Sequence, residues 1–309
     1  MASNQLTRAS FEERSKDMVF VDGLNDPETP RHLMDGSWMV VEMRRPGRIT
    51  RISADGKHIQ RIANVEKPIG LAVGPSDSLW VAATLPDPAV LRVSLSGSVE
   101  VFSTSAEGKR FLHPNDLCFG PDGKLYVTDS GMRPEEWEKN GTVREDYQNA
   151  VYDGRVYQID IKTGKIRIVD SRIRFANGIA FGPDKNLYVN EMVTGNVYRY
   201  LFNHNGEIGA RELFANVLDQ EWIGSGFRGP DGMCFDSEGL CYCAVYGQSD
   251  VAVLSPRGLI LRRIETRGRE PTNVSFGLAE EKRLYVTEKQ FGAIEWFDID
   301  AMGAFVYHG

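Results

Sequence analysis

Short apolar runs alternating with polar positions recur along the chain, joined by tight turns. Leu112 to Asp129 reads Leu-His-Pro-Asn-Asp-Leu-Cys-Phe-Gly-Pro-Asp-Gly-Lys-Leu-Tyr-Val-Thr-Asp, two strands of period two around a Gly-Pro-Asp-Gly turn. Phe175 to Glu191 restates this phrase, weaker copies begin near Pro68, Pro230 and Pro271, and a degraded first copy begins at Pro27. Six such repeats, built only from short strands and turns, predict an all-β, six-bladed β-propeller with one four-stranded sheet per blade.

The strand before each anchor supports this reading. His58–Ile62, Val99–Phe102, Lys165–Val169, Glu212–Phe214 and Ile260–Ile264 alternate like half-buried outer strands, and third strands open on glycine at Gly47, Gly154, Gly195 and Gly292. The same outer-strand pattern at Met18-Val19-Phe20-Val21 precedes the first anchor, so it has no blade of its own and is expected to close the sixth. The repeats cover nearly all 309 residues, which predicts a single domain over 1–309. Gly131–Asp153 and Asn203–Gly229 do not fit the repeat and read as insertions: binding loops or lids in one view, disordered surface excursions in the other. Met302–Gly309 has no place in the pattern.

Composition excludes several partners. A net charge of -7 offers no basic footprint for nucleic acid or an anionic membrane. Met1–Asp17 lacks the apolar core of a secretory signal, no run of about 18 apolar residues is present, and a cytoplasmic location is the default expectation. Cys118, Cys234, Cys241 and Cys243 each fall in an expected strand, where a buried apolar thiol is the favoured reading over a disulfide or zinc site.

The chemistry comes from aligning the repeats at the anchor. The next position holds Glu28, Ile69, Asn115, Asn177, Asp231 and Thr272, and inner strands of a propeller begin around the central axis. Two carboxylates and two amides converging there would be costly unless something positive fills the centre. A divalent cation does so, with calcium first among hard cations, magnesium or manganese next and zinc a further alternative. Polar residues capping the channel through water, or a cation that only pins the blades, remain open.

His-Pro-Asn-Asp-Leu (113–117), Ala-Asn-Gly-Ile-Ala (176–180) and Pro-Asp-Gly-Met (230–233) carry a resemblance to the SMP-30/gluconolactonase/LRE-like hydrolases, spanning roughly Val19 to Phe297. The resemblance implies a metal-dependent lactonase acting on a small molecule. It places the metal on Glu28, Asn177 and Asp231, with Asn115 contacting substrate or metal. Two departures bear on the substrate: Glu28 stands in Pro-Glu-Thr-Pro rather than Glu-Gly-Pro, and His113 stands where sugar-lactonase relatives can carry arginine. A sugar lactone, a less polar lactone, an aromatic degradation intermediate and another ester therefore stay open.

On this reading the cation polarises the substrate carbonyl as a Lewis acid, and Asp231 aligns or deprotonates the attacking water. His113, the one group at the mouth expected to titrate near neutral pH, relays a proton or is simply a hydrogen-bonded strand-end histidine. Asp129, Glu191 and Glu288 end second strands on the same face; Asp129 is carried as a substrate contact, with solvent-facing acids as the alternative. Asp116 is expected to turn onto backbone amides. Gly224-Ser225-Gly226 lacks the strand and helix context of a nucleophilic serine. Phosphotriester hydrolysis, carbon–carbon chemistry on the same scaffold and a non-catalytic interaction platform are the rival functions.

Overall fold

The inner strands of the six repeats run Pro27–His32, Pro68–Val73, Pro114–Phe119, Ala176–Phe181, Gly229–Phe235 and Pro271–Phe276. Each anchor thus lies at or next to the start of a strand, a place that proline tolerates because no ladder N–H is required of it. In the computed structural model, which describes residues 18–139, 142–203, 207–278 and 280–309, each inner strand starts a four-stranded antiparallel sheet. Neighbouring inner strands touch around a closed circle, the last against the first. The result is the six-bladed propeller that the repeats predict.

The second strands Trp38–Glu42, Leu79–Ala83, Leu125–Asp129 and Leu187–Glu191 are buried along their whole length, because neighbouring blades cover both faces of each sheet. The core accordingly lies between blades: Met39, Ile49, Leu71 and Val81 fill the gap between the first two, and Tyr242, Val253, Val274 and Val286 that between the last two. Outer strands such as Ile59–Asn64 remain largely exposed. All four cysteines are free, with Cys241 and Cys243 buried. Burial pushes the thiols well above their ordinary pKa.

Val19–Val21 pairs with Ala293–Asp298 and completes the sixth blade. Phe20 packs edge-on against Tyr285 and Trp38, with centroids 5.1 and 6.2 Å away. The Thr272 hydroxyl donates to the Pro27 carbonyl at 2.9 Å, stitching the sixth inner strand to the first.

The segment 302–309, unassigned by pattern, runs beneath the ring. Ala304 N–H donates to the Phe235 carbonyl at 2.9 Å, Tyr307 packs 6.2 Å from Phe181, and His308 Nδ1–H donates to the Val73 carbonyl at 3.1 Å. These partners end the inner strands of blades 5, 4 and 2, so the tail crosses the lower end of the axial channel. On the same face, Asp122, Asp184 and Asp236 cap their turns and accept from Tyr126, Tyr188 and Tyr242 at 3.1, 2.9 and 3.1 Å. That is the turn chemistry expected of these motifs.

The first insertion is folded. It forms a helical turn, Pro134–Trp137, followed by a small hairpin, and buries Trp137 and Tyr152 against Phe175 and Met192. The second is shorter than the sequence suggests, since Ile208–Asn216 is the outer strand of blade 4, leaving 217–228 as the excursion. No described helix is long and apolar enough to cross a membrane.

Deleting residues 1–21 removes the closing strand and the Phe20 and Val21 side chains, each contributing roughly 1.5–3 kcal/mol on burial. The melting temperature should fall by at least about 5 °C. An unchanged value in a thermal scan would place the closure elsewhere.

Candidate active site

The pairing between inner and second strand slips just after every anchor: between Glu28 and Arg31, Pro68 and Gly70, Pro114 and Leu117, Ala176 and Ile179, Pro230 and Met233, and Pro271 and Asn273. Such an irregularity frees one residue from the ladder and re-aims its side chain. The slip frees Ile69, Asn115, Asn177, Asp231 and Thr272, while Glu28 still pairs with Val41 at the edge of its slip. All six line one cavity of about 100 Å³ at the upper mouth of the channel. The ring inferred from spacing is therefore assembled, with Glu28, Asn115, Asn177 and Asp231 all buried.

A second tier lies one residue further on. Gly70, Gly178 and Gly232 allow the inner strands to approach, since a Cβ on each would lie 2.1–2.2 Å from the neighbouring strand's Asn115 carbonyl oxygen, Asp231 carbonyl oxygen or Asn273 side chain. The other three blades place Thr29, Asp116 and Asn273 at this level. Asp116 accepts from Leu117 N–H at 2.8 Å, as expected, but also from Asn273 Nδ2 at 3.4 Å, and faces Arg31 Nη2 at 3.7 Å. It is thus a third acid on the axis. The repeat alignment could have revealed it, because glycine fills the equivalent position in three other blades.

Burial and neighbouring acids disfavour the ionised forms of Glu28 and Asp231. Burial, then Asp231 and Asp116, push the Glu28 carboxyl well above its ordinary pKa. Burial, then Asp116, do the same to Asp231, against opposing contributions from Asn177 and Lys289. Asn177 Oδ1 is buried without a hydrogen-bond partner, while its Nδ2 donates to Met192 Sδ at 3.1 Å. Asn115 Nδ2 donates to Ser130 Oγ at 3.0 Å, which leaves its carbonyl oxygen as the free end of the amide. No three His, Cys, Asp or Glu side chains among the described residues form a metal cluster alone. The donor set is mixed, two carboxylates plus amide oxygens, and one of those oxygens is an orphan. Hard-oxygen donors of this kind fit calcium or a similar cation.

His113 lines the cavity but does not titrate near neutral pH. Burial first, then the Lys67 charge, bring its pKa down to about 3. Its Nδ1–H donates to the Met132 carbonyl at 3.2 Å, so Nε2 is left as an acceptor. Asp129 does not line the cavity. Its carboxylate accepts from Leu112, His113 and Gly131 N–H groups at 2.8, 3.0 and 2.9 Å, so it holds the His113 backbone instead of touching substrate. Glu191 accepts from Arg174 N–H at 2.7 Å, Glu288 from Glu270 N–H at 3.0 Å and Glu42 from Asn25 N–H at 2.8 Å. All four acids are buried clamps, not solvent-facing strand ends.

The walls include Trp137, Phe175, Met192, Phe227 and Tyr246 on one side, with Lys67, Glu138 and Lys289 also at the mouth. Trp137 packs at 4.3 Å from Phe175 and 5.0 Å from Phe227, so both insertions contribute aromatic surface. Trp222 is not part of it. Arg228 and Arg269 stack on its ring at 4.8 and 5.6 Å, away from the cavity lining.

With this geometry in view, the chain is similar to several known proteins. It is 28% identical to the gluconolactonase of Zymomonas mobilis over 67% of this chain and 57% of that one. It is 30% identical to the 6-deoxy-6-sulfogluconolactonase of Pseudomonas putida over 60% of this chain and 56% of that one. The matches thus span little more than half the length of these curated relatives. A gluconolactonase structure from Xanthomonas campestris superposes with a TM-score of 0.73 at 21% identity, covering 93% of this chain and 89% of that one, a likeness of fold. A family model described as the SMP-30/Gluconolactonase/LRE-like region matches residues 27–290, and with most of its length inside that match the chain belongs to this family.

Proposed function

We propose that the chain is a lactonase, a hydrolase that opens a small-molecule lactone with water at the axial site. The observation that carries this reading is the orphaned Asn177 Oδ1 beside two mutually repelling carboxylates in the cavity at the mouth of the channel. Glu28, Asn177 and Asp231 would hold a divalent cation, calcium first, with the Asn115 oxygen beside it. When bound, such a cation supplies positive charge where the carbonyl oxygen becomes negative.

The remaining steps belong to the chain itself. Asp231 accepts a hydrogen bond from the attacking water and receives its proton as the new carbon–oxygen bond forms. Ring opening then breaks the ester bond, and the departing alkoxide regains a proton from Asp231 or solvent. Neutral His113 has no proton on Nε2 to give, so its place in this scheme is to accept a hydrogen bond from water or from a substrate hydroxyl. The aromatic wall excludes bulk water and holds the body of the ring, as apolar pocket linings do.

Asp231→Ala should lower lactone hydrolysis, followed by proton release, by at least roughly 10²-fold. The wild type stripped with EDTA should lose activity and regain it with calcium. Independently of turnover, saturating calcium should raise the melting temperature of stripped wild type by about 5 °C or more and that of Asp231→Ala much less. Full activity in the stripped protein, or in Asp231→Ala, would sink the metal-assisted reading, and turnover of phosphotriesters in place of lactones would move the assignment to that rival chemistry.

The His113 ring should show no titration between pH 5 and 8 when followed by NMR of its Cε1–H; an inflection near the ordinary histidine value of about 6.5 would restore the proton-relay role. Trp137→Phe should shift KM several-fold among lactones of different bulk. Trp222→Ala should leave those KM values alone, and the reverse pattern would move the pocket wall to the second insertion.

A further inference from the structure

The residue just before each anchor forms another tier of the mouth, above the Glu28 to Thr272 ring. Blade by blade it is Asp26, Lys67, His113, Phe175, Gly229 and Glu270. At Asp26, Lys67 and Phe175 the backbone is left-handed, with φ of 52, 48 and 66°, a conformation L-residues seldom adopt. The turn recurs in three of the six blades, and Lys67, His113 and Phe175 line the cavity. The end of the second strand or the residue after it supplies one more tier, with Met43, Met192, Tyr246 and Lys289 lining the cavity.

The side chains divide the mouth into two unlike halves. Blades 4 and 5 and the insertions present Phe175, Met192, Trp137, Phe227 and Tyr246. Blade 2, opposite blade 5 in a six-membered ring, presents apolar Ile69 in the axial tier and a single charge above it, Lys67.

The charges in the cavity do not cancel. Lys289 Nζ lies 3.7 Å from Glu270 and 3.4 Å from the Tyr246 hydroxyl. Although burial disfavours its ammonium, Tyr246, Glu270 and Glu138 together hold it charged. Arg31 faces Asp116 below. Glu28 and Asp231 are the pair assigned above to a divalent cation. Among the described residues Lys67 has no ion-pair partner, and the group that feels its charge is neutral His113. A half-buried ammonium that lines a ligand cavity and has no ion-pair partner among the described residues calls for an anion.

We propose that Lys67 is an anion anchor and that the substrate is a lactone bearing a negatively charged substituent. The substituent is a carboxylate, sulfonate or phosphate lying against blade 2, with the body of the ring against the aromatic half. This inference rests on the lactonase reading for the reaction but not for the binding. It also assigns the specificity of the mouth to a position whose residue differs in every blade.

The test compares 5-oxotetrahydrofuran-2-carboxylate with its carboxamide, two lactones that differ in charge at one side of the ring, using calcium-loaded protein. The wild type should prefer the carboxylate in kcat/KM by at least about tenfold. Lys67→Met should bring that ratio close to one, and Lys67→Arg should keep most of it. In parallel, calorimetry with non-hydrolysable cyclopentanecarboxylate and cyclopentanecarboxamide should show a preference for the acid that Lys67→Met removes. Equal use of both lactones by the wild type, or a preference that survives in Lys67→Met, overturns the anchor and leaves the lactonase reading standing. If neither lactone is opened but cyclopentanecarboxylate binds in a Lys67-dependent manner, the lactonase reading falls and the anchor stands. Failure of both turnover and Lys67-dependent binding overturns both. Should Lys67→Met not fold, the wild-type ratios and Lys67→Arg decide the matter alone.

Discussion

Six inner strands must meet at one axis, and that crowding governs the rest of the molecule. The strands can approach only where a side chain is missing, as at Gly70, Gly178 and Gly232, or where the ladder slips and swings a side chain out of the sheet, as it does at the start of every blade. Both devices have the same by-product. They gather six consecutive-blade side chains at one end of the channel, out of water and within range of one another. The axial ring is thus a consequence of closing the propeller, and its chemistry depends on which residues occupy those six places.

Placing acids there works against stability. Burial raises the pKa of Glu28, Asp231 and Asp116, and the Asp116 charge raises the first two further, so in the absence of a cation the fold holds them against both desolvation and repulsion. The surrounding structure is correspondingly over-determined. Four further buried acids, Glu42, Asp129, Glu191 and Glu288, each hold amide groups in the loop that leads into an inner strand. Hydrogen bonds from backbone N–H groups to a carboxylate are among the stronger ones in proteins. These four clamp the loops from which Lys67's counterparts in blades 1, 3, 4 and 6 project, so rigidity near the axis comes from a set of acids distinct from the set that faces the cavity.

The propeller was legible in the sequence because a repeat repeats its errors as well as its rules: even the degraded copy at Pro27 keeps the strand–turn–strand spacing. The Glu28 to Thr272 ring was legible for the same reason. Single-strand reasoning failed where partners come from elsewhere in the chain. Asp129 and Glu191 looked like strand-end acids, and nothing local indicates that amide groups 16 or 17 residues upstream fold back onto them. His113 looked like a neutral-pH titrating group, because burial is not visible in a local motif. Trp222 lies in an insertion that reads as a binding loop, yet two arginines occupy its face. The tail 302–309 has no periodic pattern because it pairs with strand ends from several blades in turn.

Comparison among the blades separates scaffold from site more sharply than any single motif does. Positions whose residue type recurs, such as the turn aspartates bonded to Tyr126, Tyr188 and Tyr242, serve needs that are the same in every blade. Positions whose backbone recurs but whose side chain does not serve needs that differ around the axis. The left-handed residue before the anchor is aspartate, lysine and phenylalanine in three blades, although the turn itself would be made more easily by glycine. A fold that required only the turn would have no use for a lysine or a phenylalanine at that point. Lys67 and Phe175 line the cavity, and their asymmetry, basic on blade 2 and aromatic on blade 4, fits the proposed ligand with two unlike ends.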